Sequence, residues 1–327
     1  MRKIFVVAEI VGGAIDDSAF EMAGAARRLA ESAPEEASIA AVLLGSDVAE
    51  MARKLAERFD EVVVYDDPSL EAPDGGVSGA VLADLFEKEK PLAVLIAHSN
   101  NGMDLAPALA VRLGMPMLAD CLTLEWKESR LSGVRTVYAG KVHARVTAQQ
   151  SDAGVLATVR PGAMPMPEGE SSAGTVRDGE IPADRNAGRR SVRVIAPEAG
   201  EVDLTQAEKL VAVGRGIEDE ENLEIVQSLA ASLGAELACS RPIVDKNWLP
   251  KSRQVGTSGV SVKPKIYLAV GISGSFQHMG GVKGRPFLVA INKDPRAPIF
   301  GTADLGIVGD LLEIVPLLEE KVRAAKG

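Results

Sequence analysis

Apolar and polar positions along this chain change their period twice. In the first stretch, short apolar runs alternate with segments whose apolar residues recur at helical spacing. That pattern predicts strands over 3–10, 39–44, 61–65 and 93–97, and helices over 19–33, 48–58, 79–88 and 103–113. The last of these helices should stop at Gly114, with Pro116 just beyond, because glycine suits a left-handed cap and proline cannot extend a helix. Strands alternating with helices of about 10–15 residues imply βαβ units on a mostly parallel sheet. Over 123–160 the period shortens. β-branched and polar residues alternate there between turn signals, as in SRLSGVRTVYAGKVHARV, which predicts antiparallel strands appended to that sheet.

Residues 161–190 have no period, few large apolar side chains and much Pro, Gly, Ser and charge, as a connector between domains would. The alternating pattern then resumes. Strands are predicted over 209–213, 236–239, 266–270 and 286–291, and helices over 220–233, from about 275, and over 305–325 with a kink at Pro316. Two α/β domains follow, one of residues 1–196 including the connector and one of 197–327.

Composition narrows the picture. A chain of 327 residues exceeds the usual single domain, and 46% hydrophobic with 25% charged residues is an ordinary globular balance. A net charge of -10 without a long basic run argues against nucleic acid as a partner. Cys121 and Cys239 belong to no CxxC or mixed Cys/His cluster, so neither a disulfide framework nor a zinc site is indicated, and a reducing cytoplasm fits. Glu9 interrupts the opening apolar run, which reads as a first strand and not as a signal peptide. No stretch approaches the roughly 18 apolar residues of a membrane span, so a membrane protein is not expected.

Ligands of open α/β sheets sit beyond the carboxyl ends of the strands. In the second half those ends carry Gly214-Arg215-Gly216, Ser240-Arg241-Pro242, QVGTSG (254–259), GISGSFQH (271–278) and Asn292-Lys293-Asp294-Pro295. Gly214 and Gly216 begin like GxGxxG, but Asp219 stands at the third glycine, so a tight turn accounts for them. Glu218 to Glu221 would repel a phosphate, which leaves Arg215 as the attraction on that side. GISGSFQH reads differently. Its glycines let backbone approach a ligand, and its N–H groups at a helix start suit a pyrophosphate. The Lys-Ser/Thr of a Walker loop is missing, so nucleotide hydrolysis is not indicated. His278, beside that loop, reads as a donor to a ligand, whereas His98 and His143 lack sequence partners and read as structural. The hydroxyls of QVGTSG acquire a use only beside a heteroaromatic ring. No Ser-His-Asp order, HExxH motif or paired-carboxylate signature supports hydrolase chemistry.

QVGTSG, GISGSFQH and AINKDPRAPIF (290–300), in this order, make residues 240–318 resemble the FAD-binding C-terminal domain of the electron transfer flavoprotein alpha subunits. VRTVYAGKVHARV (134–146) and VRPG (159–162) resemble that family's N-terminal domain. The resemblance implies a nucleotide-binding-like α/β domain with appended antiparallel strands, then a doubly wound parallel-sheet domain holding one FAD. It also implies a heterodimer with a beta subunit that holds AMP or a second FAD. The N-terminal domain would bind no nucleotide of its own, with Gly12-Gly13 and residues 98–102 as scaffold or interface.

Carried across, the resemblance puts Arg215 and Ser240 at the phosphate and sugar, Arg241 over the isoalloxazine and Ser258 near its N5, with Gly256 and Thr257 alongside. Ser273, Gly274, Ser275, Phe276 and Gln277 would wrap the pyrophosphate and ribityl chain, and His278 would donate to the N1/C2=O edge. Asn292, Asp310 and Leu311 would position the adenosine, while Gln254, Val255 and Gly271 complete the set. Thr257 stands where many members have Gln, which removes an amide; Ser258 replaces a common Thr and keeps the hydroxyl. A cation such as Arg241 and a donor such as His278 would stabilise negative charge on a flavin far more in a water-poor crevice than in bulk solvent. The implied function is an electron carrier, not a stand-alone enzyme, between flavoprotein dehydrogenases and an acceptor such as a quinone oxidoreductase, with electron bifurcation left open. A nicotinamide-dependent domain of transhydrogenase-like or deoxyhypusine-synthase-like type is the alternative, and it requires a catalytic lysine or substrate pocket that the sequence does not display.

Overall fold

The structure is a computed structural model that describes residues 1–71, 75–138, 142–166, 173–182 and 203–326. It divides into two compact units, Met1–Ile195 and Ala196–Gly327. The boundary expected between 196 and 197 lies outside the described residues.

The first unit begins with β1 (Arg2–Ala8), the hairpin β2 (Ile10–Val11) and β3 (Ala14–Ile15), α1 (Asp17–Glu31), β4 (Ala37–Gly45), α2 (Ala49–Ala56), β5 (Glu61–Asp66), α3 (Gly75–Glu89), β6 (Ala93–Ala97) and α4 (Asn100–Leu113). It continues with β7 (Met117–Lys127), β8 (Arg130–Val137), β9 (Val142–Ala148), β10 (Val155–Val159) and β11 (Thr175–Asp178). Among the described residues nine strands form one sheet in the order β11-β5-β4-β1-β6-β10-β7-β8-β9. Its core has two faces because strand residues alternate. Ile4 and Leu43 pack with Leu29 and Phe59 on one side, while Phe5 and Val42 pack with Phe86 and Leu109 on the other. Gly114 takes the left-handed cap of α4, as its position predicts.

Two segments depart from the sequence reading. The antiparallel set expected over 123–160 holds for β7, β8 and β9. β10, however, inserts in parallel between β6 and β7. All five of its residues are buried, so it needs cover on both faces and belongs inside the sheet, not at a margin. Within the predicted connector, β11 pairs in parallel with β5. Arg177 of β11 pairs with Glu61 and, at 2.7 Å, with Glu89, so charge and not apolar pattern seats that strand. His98 is also not isolated: its Nδ1 lies 2.9 Å from the Thr158 hydroxyl, beside an Asp120 held by Arg160.

The second unit contains β12 (Lys209–Val213), α5 (Leu223–Leu233), β13 (Glu236–Cys239), α6 (Arg241–Asp245), β14 (Ile266–Val270), α7 (Phe276–Met279), β15 (Phe287–Asn292), β16 (Leu305–Val308) and α8 (Leu311–Lys326). Among the described residues its five strands are all parallel, in the order β13-β12-β14-β15-β16. The helix predicted over 305–325 therefore begins with a strand. Leu305–Val308 completes the sheet against β15, and Asp310 then caps α8 by accepting from the Leu312 N–H at 2.8 Å. α5 and α8 pack on one face of the sheet through Val226, Leu229 and Val315. Val255, Val262, Met279 and Ile299, from loops and single helical turns, cover the other.

Candidate functional site

The order of the second sheet reverses direction at β12 and β14, so the carboxyl ends of those two strands form the switch point where ligands of open sheets bind. The chain is tightest there. The Gly214 N–H donates to the Val270 carbonyl at 2.8 Å and the Gly216 N–H to the Gly271 carbonyl at 3.0 Å. A Cβ on Gly214 would lie 2.4 Å from the Gly271 oxygen. At 214, 216 and 271 glycine is thus required by backbone crossing backbone, where the sequence predicts only a tight turn at 214 and 216 and room for a ligand at 271.

From this crossing the GISGSFQH loop runs outward. The Ile299 N–H donates to the Ser273 carbonyl at 3.0 Å, and Asn292 Nδ2 donates to the Ile272 carbonyl at 2.9 Å. Asn292 Oδ1 also accepts from the Asp294 N–H, so both ends of its amide hold protein atoms. Pinned on two sides, the loop leaves the backbone N–H groups of residues 273–277 without an acceptor among the described residues. The side chains of Ser273, Ser275, Phe276 and Gln277 are exposed. Consecutive unpaired amides fixed in place accept an anion with little reorganisation, and their chemistry fits the pyrophosphate of a dinucleotide. α7 itself is a single turn, shorter than the helix expected from residue 275.

QVGTSG packs against that turn. The Val255 N–H donates to the Cys239 carbonyl at 2.9 Å, and the Thr257 N–H to the Gln277 carbonyl at 2.7 Å. A Cβ on Gly281 would stand 2.4 Å from the Gly256 nitrogen. Gln254, buried, donates through Nε2 to the Ser258 hydroxyl at 3.0 Å. Thr257 and Ser258 are exposed at the rim, and the Ser258 hydroxyl retains its own proton for a ligand.

His278 departs from its expected role. Only 5% exposed, it has Nε2 2.8 Å from the fully buried Tyr267 hydroxyl. Its Nδ1 is enclosed beside the Val255 carbonyl without a well-formed hydrogen bond. Burial pushes the ring down to about 4, so it is neutral at pH 7. In this structure the ring therefore presents no open donor to a ligand. Tyr267 was missed by sequence reasoning, for a phenol inside the apolar run IYLAV looks like core.

Both arginines are exposed. Arg215 is exposed and makes no ion pair with a described residue. Arg241 opens α6 after the buried Ser240, with 68% of its side chain exposed and Asp245 at 3.5 Å. The repulsion expected from Glu218 is reduced. Its carboxylate pairs with Lys293, and its carbonyl accepts from Lys246 Nζ at 3.3 Å. Glu218 sits at φ 69 and ψ -61, a γ-turn closed by the Asp219 N–H on the Ile217 carbonyl at 2.9 Å. Asp310 and Leu311 serve α8 and the core. Leu311 is buried under the crossing, its Cδ2 2.8 Å from where a Cβ on Gly271 would stand.

The first sheet has its own switch point, between β1 and β6. A cavity of about 150 Å³ opens there, lined among others by Glu9, Ser78, Asn101 and Asp104. Burial raises the Glu9 carboxyl, to which the Ser99 hydroxyl donates at 2.7 Å. An acidic lining disfavours phosphate, unlike the amides and arginines of the second unit.

A parallel sheet with fixed amides, two exposed arginines and a rim of hydroxyls at its switch point defines a dinucleotide-binding α/β protein. Comparison with known proteins makes this specific. Residues 4–184 match the electron transfer flavoprotein domain, and residues 203–283 match the electron transfer flavoprotein FAD-binding domain. The chain is 36% identical to the electron transfer flavoprotein subunit alpha of Megasphaera elsdenii, over all of this chain and 98% of that one. It is 34% identical to the subunit alpha of Bacillus subtilis, over 98% of each. With the lactate dehydrogenase (NAD(+),ferredoxin) subunit LctC of Acetobacterium woodii it shares 36% identity, over 97% of this chain and 76% of that relative. The chain belongs to the electron transfer flavoprotein alpha-subunit family, and its second unit is that family's FAD-binding domain.

Proposed function

We propose that the second unit holds one FAD along the carboxyl edge of its sheet, with the pyrophosphate on the amides of residues 273–277 beside Arg215. The ring lies toward Arg241 and the hydroxyls of Thr257 and Ser258. The observation that carries this reading is the run of five amides without a protein acceptor, since anchored N–H groups beside arginines suit a pyrophosphate. Asn292, Asp310 and Leu311 act from beneath the loop through its hydrogen bonds and packing. Bound FAD supplies the electron-carrying ring. Arg241 favours negative charge on that ring where water is excluded, so this chain positions and tunes while the cofactor carries.

The chain acts as an electron carrier paired with an electron transfer flavoprotein beta subunit, which holds AMP or a second FAD. The first unit packs with that subunit and holds no nucleotide of its own. Electrons arrive from a flavoprotein dehydrogenase and leave to a quinone oxidoreductase or similar acceptor. Names such as the lactate dehydrogenase subunit LctC and the acryloyl-CoA reductase electron transfer subunit beta of Anaerotignum propionicum support a dehydrogenase partner. No helix among the described residues is long and apolar enough to cross a membrane, and both cysteines are buried and unpaired. We place the protein in the cytoplasm.

Co-expression with the beta subunit tests the reading. The purified pair should be yellow and release one FAD per copy of this chain on denaturation. A colourless pair that takes up no added FAD, or one that binds NAD in its place, overturns it.

A further inference from the structure

The Tyr267–His278 contact is the one buried polar pair at the site that the proposed FAD contacts leave unexplained. Tyr267 lies within β14, fully buried, and its hydroxyl has no partner among the described residues except His278 Nε2 at 2.8 Å. Two arrangements are open to the pair. If Nε2 carries the ring proton, the hydroxyl accepts it, and then the phenol O–H and the Nδ1 lone pair are both buried without partners. If Nδ1 carries the proton, the phenol donates to Nε2 and only the Nδ1 N–H lacks a well-formed bond. The second arrangement leaves one unsatisfied group where the first leaves two. The Val255 carbonyl beside Nδ1 favours it as well.

We infer that Tyr267 is a positioning residue that donates to Nε2 of His278 and thereby holds the ring neutral, with its proton on Nδ1. Among the described residues, the titratable neighbour that acts on Tyr267 besides His278 is Cys239, whose thiol burial pushes up to about 12. Neither phenol nor thiol is charged at pH 7, so the pair is a chain of neutral dipoles with a fixed direction. That direction ends at Val255, in the loop whose Thr257 and Ser258 hydroxyls line the rim. The Nδ1 N–H is thus held as a donor at the base of QVGTSG, toward the Val255 carbonyl. Tyr267 decides that this nitrogen donates, and through that loop the pair bears on the cofactor rim. The functional consequence rests on the FAD reading above; the proton's position does not.

Three histidines in the whole chain make the position readable. The full chain, labelled with ¹⁵N-histidine and purified with its beta subunit, is examined by long-range ¹H–¹⁵N correlation with FAD removed and with FAD bound. His278 should show the neutral, Nδ1-protonated pattern from about pH 8 to about pH 5 in the FAD-free pair. An Nε2-protonated or a charged ring at pH 7 overturns the inference, whether or not FAD binds. Tyr267→Phe should lose the single pattern and shift the midpoint potential of bound FAD. Added to His278→Gln, the same change should leave the potential where His278→Gln alone puts it. A further shift in the double variant would mean that Tyr267 acts by packing and not through His278. Failure of the wild-type pair to bind FAD would remove the FAD reading and still leave the ring pattern to decide this one.

Discussion

Gly216 lies directly on Gly271: its N–H donates to the Gly271 carbonyl at 3.0 Å, and a Cβ on Gly216 would stand 2.8 Å from the Gly271 Cα. The loops after β12 and β14 therefore meet backbone to backbone at the switch point and are fixed relative to each other before any cofactor arrives. Gly216→Ala cannot be absorbed by a side-chain shift, and should cost the second unit about 2–4 kcal/mol. Urea unfolding of the heterodimer measures this, and an unchanged midpoint would contradict the crossing.

Asn292 should influence FAD without touching it. Asn292→Ala removes the donor on the Ile272 carbonyl and leaves that buried oxygen unpaired, at a cost of about 1–3 kcal/mol. The amides of residues 273–277 then lose one of their two anchors. FAD affinity should fall about tenfold, and hydrogen exchange in the loop should speed up. Weaker binding with unaltered exchange would argue for direct contact instead.

For the arginines the expectation is reversed. Arg215 and Arg241 are exposed, so replacing either with Ala should change stability by no more than about 0.5 kcal/mol. Arg215→Ala should weaken FAD binding and reduce its salt dependence, because a charge facing phosphate is lost. Arg241→Ala should lower the potential of bound FAD. A spectroelectrochemical titration that returns the wild-type value would remove Arg241 from the ring.

Acid should loosen the second unit through His278. Burial holds its pKa at about 4, below the ordinary value of 6.5, so the unfolded chain binds more protons between those values. Stability from this group is fully present above about pH 6.5 and is lost as pH falls toward about 4, on the order of 3 kcal/mol in all. His278→Gln should flatten that part of the curve. Equal slopes for the two proteins between about pH 6.5 and about 4.5 would show that the ring is not buried neutral.

In the first unit, Asp120 has a left-handed backbone (φ 60) and is held by Arg160 through Nε at 2.9 Å and Nη2 at 2.5 Å. Arg160→Ala strands a largely buried carboxylate beside a bulge, and should cost about 2–4 kcal/mol. Thermal unfolding of the heterodimer reads the loss. Arg160→Lys should restore only part of it, since one ammonium cannot engage both oxygens.

Much of the fold was legible because burial is periodic along each element. The alternation at Ile4 and Phe5, the cap at Gly114 and the apolar run at 266–270 are local facts. β10 and β11 were harder. The short run 155–159 does not show by itself which strands flank it or in which direction it pairs, and β11 joins the sheet through Arg177 and two distant carboxylates. β16 hid against α8 because LGIV followed by GDLLEIV reads as one apolar stretch.

The amino-acid sequence alone determined the two α/β halves, the loops gathered at the carboxyl edge of the second sheet, and the resemblance carried by QVGTSG, GISGSFQH and AINKDPRAPIF. These depend on residue type and short spacing, which a single chain displays directly. Only the tertiary structure decided that Gly214, Gly216 and Gly271 serve a backbone crossing, that Asn292 anchors the loop, and that His278 turns inward to Tyr267. Each of those depends on which atoms meet across the sheet, and such meetings are set by packing between residues that local pattern cannot pair.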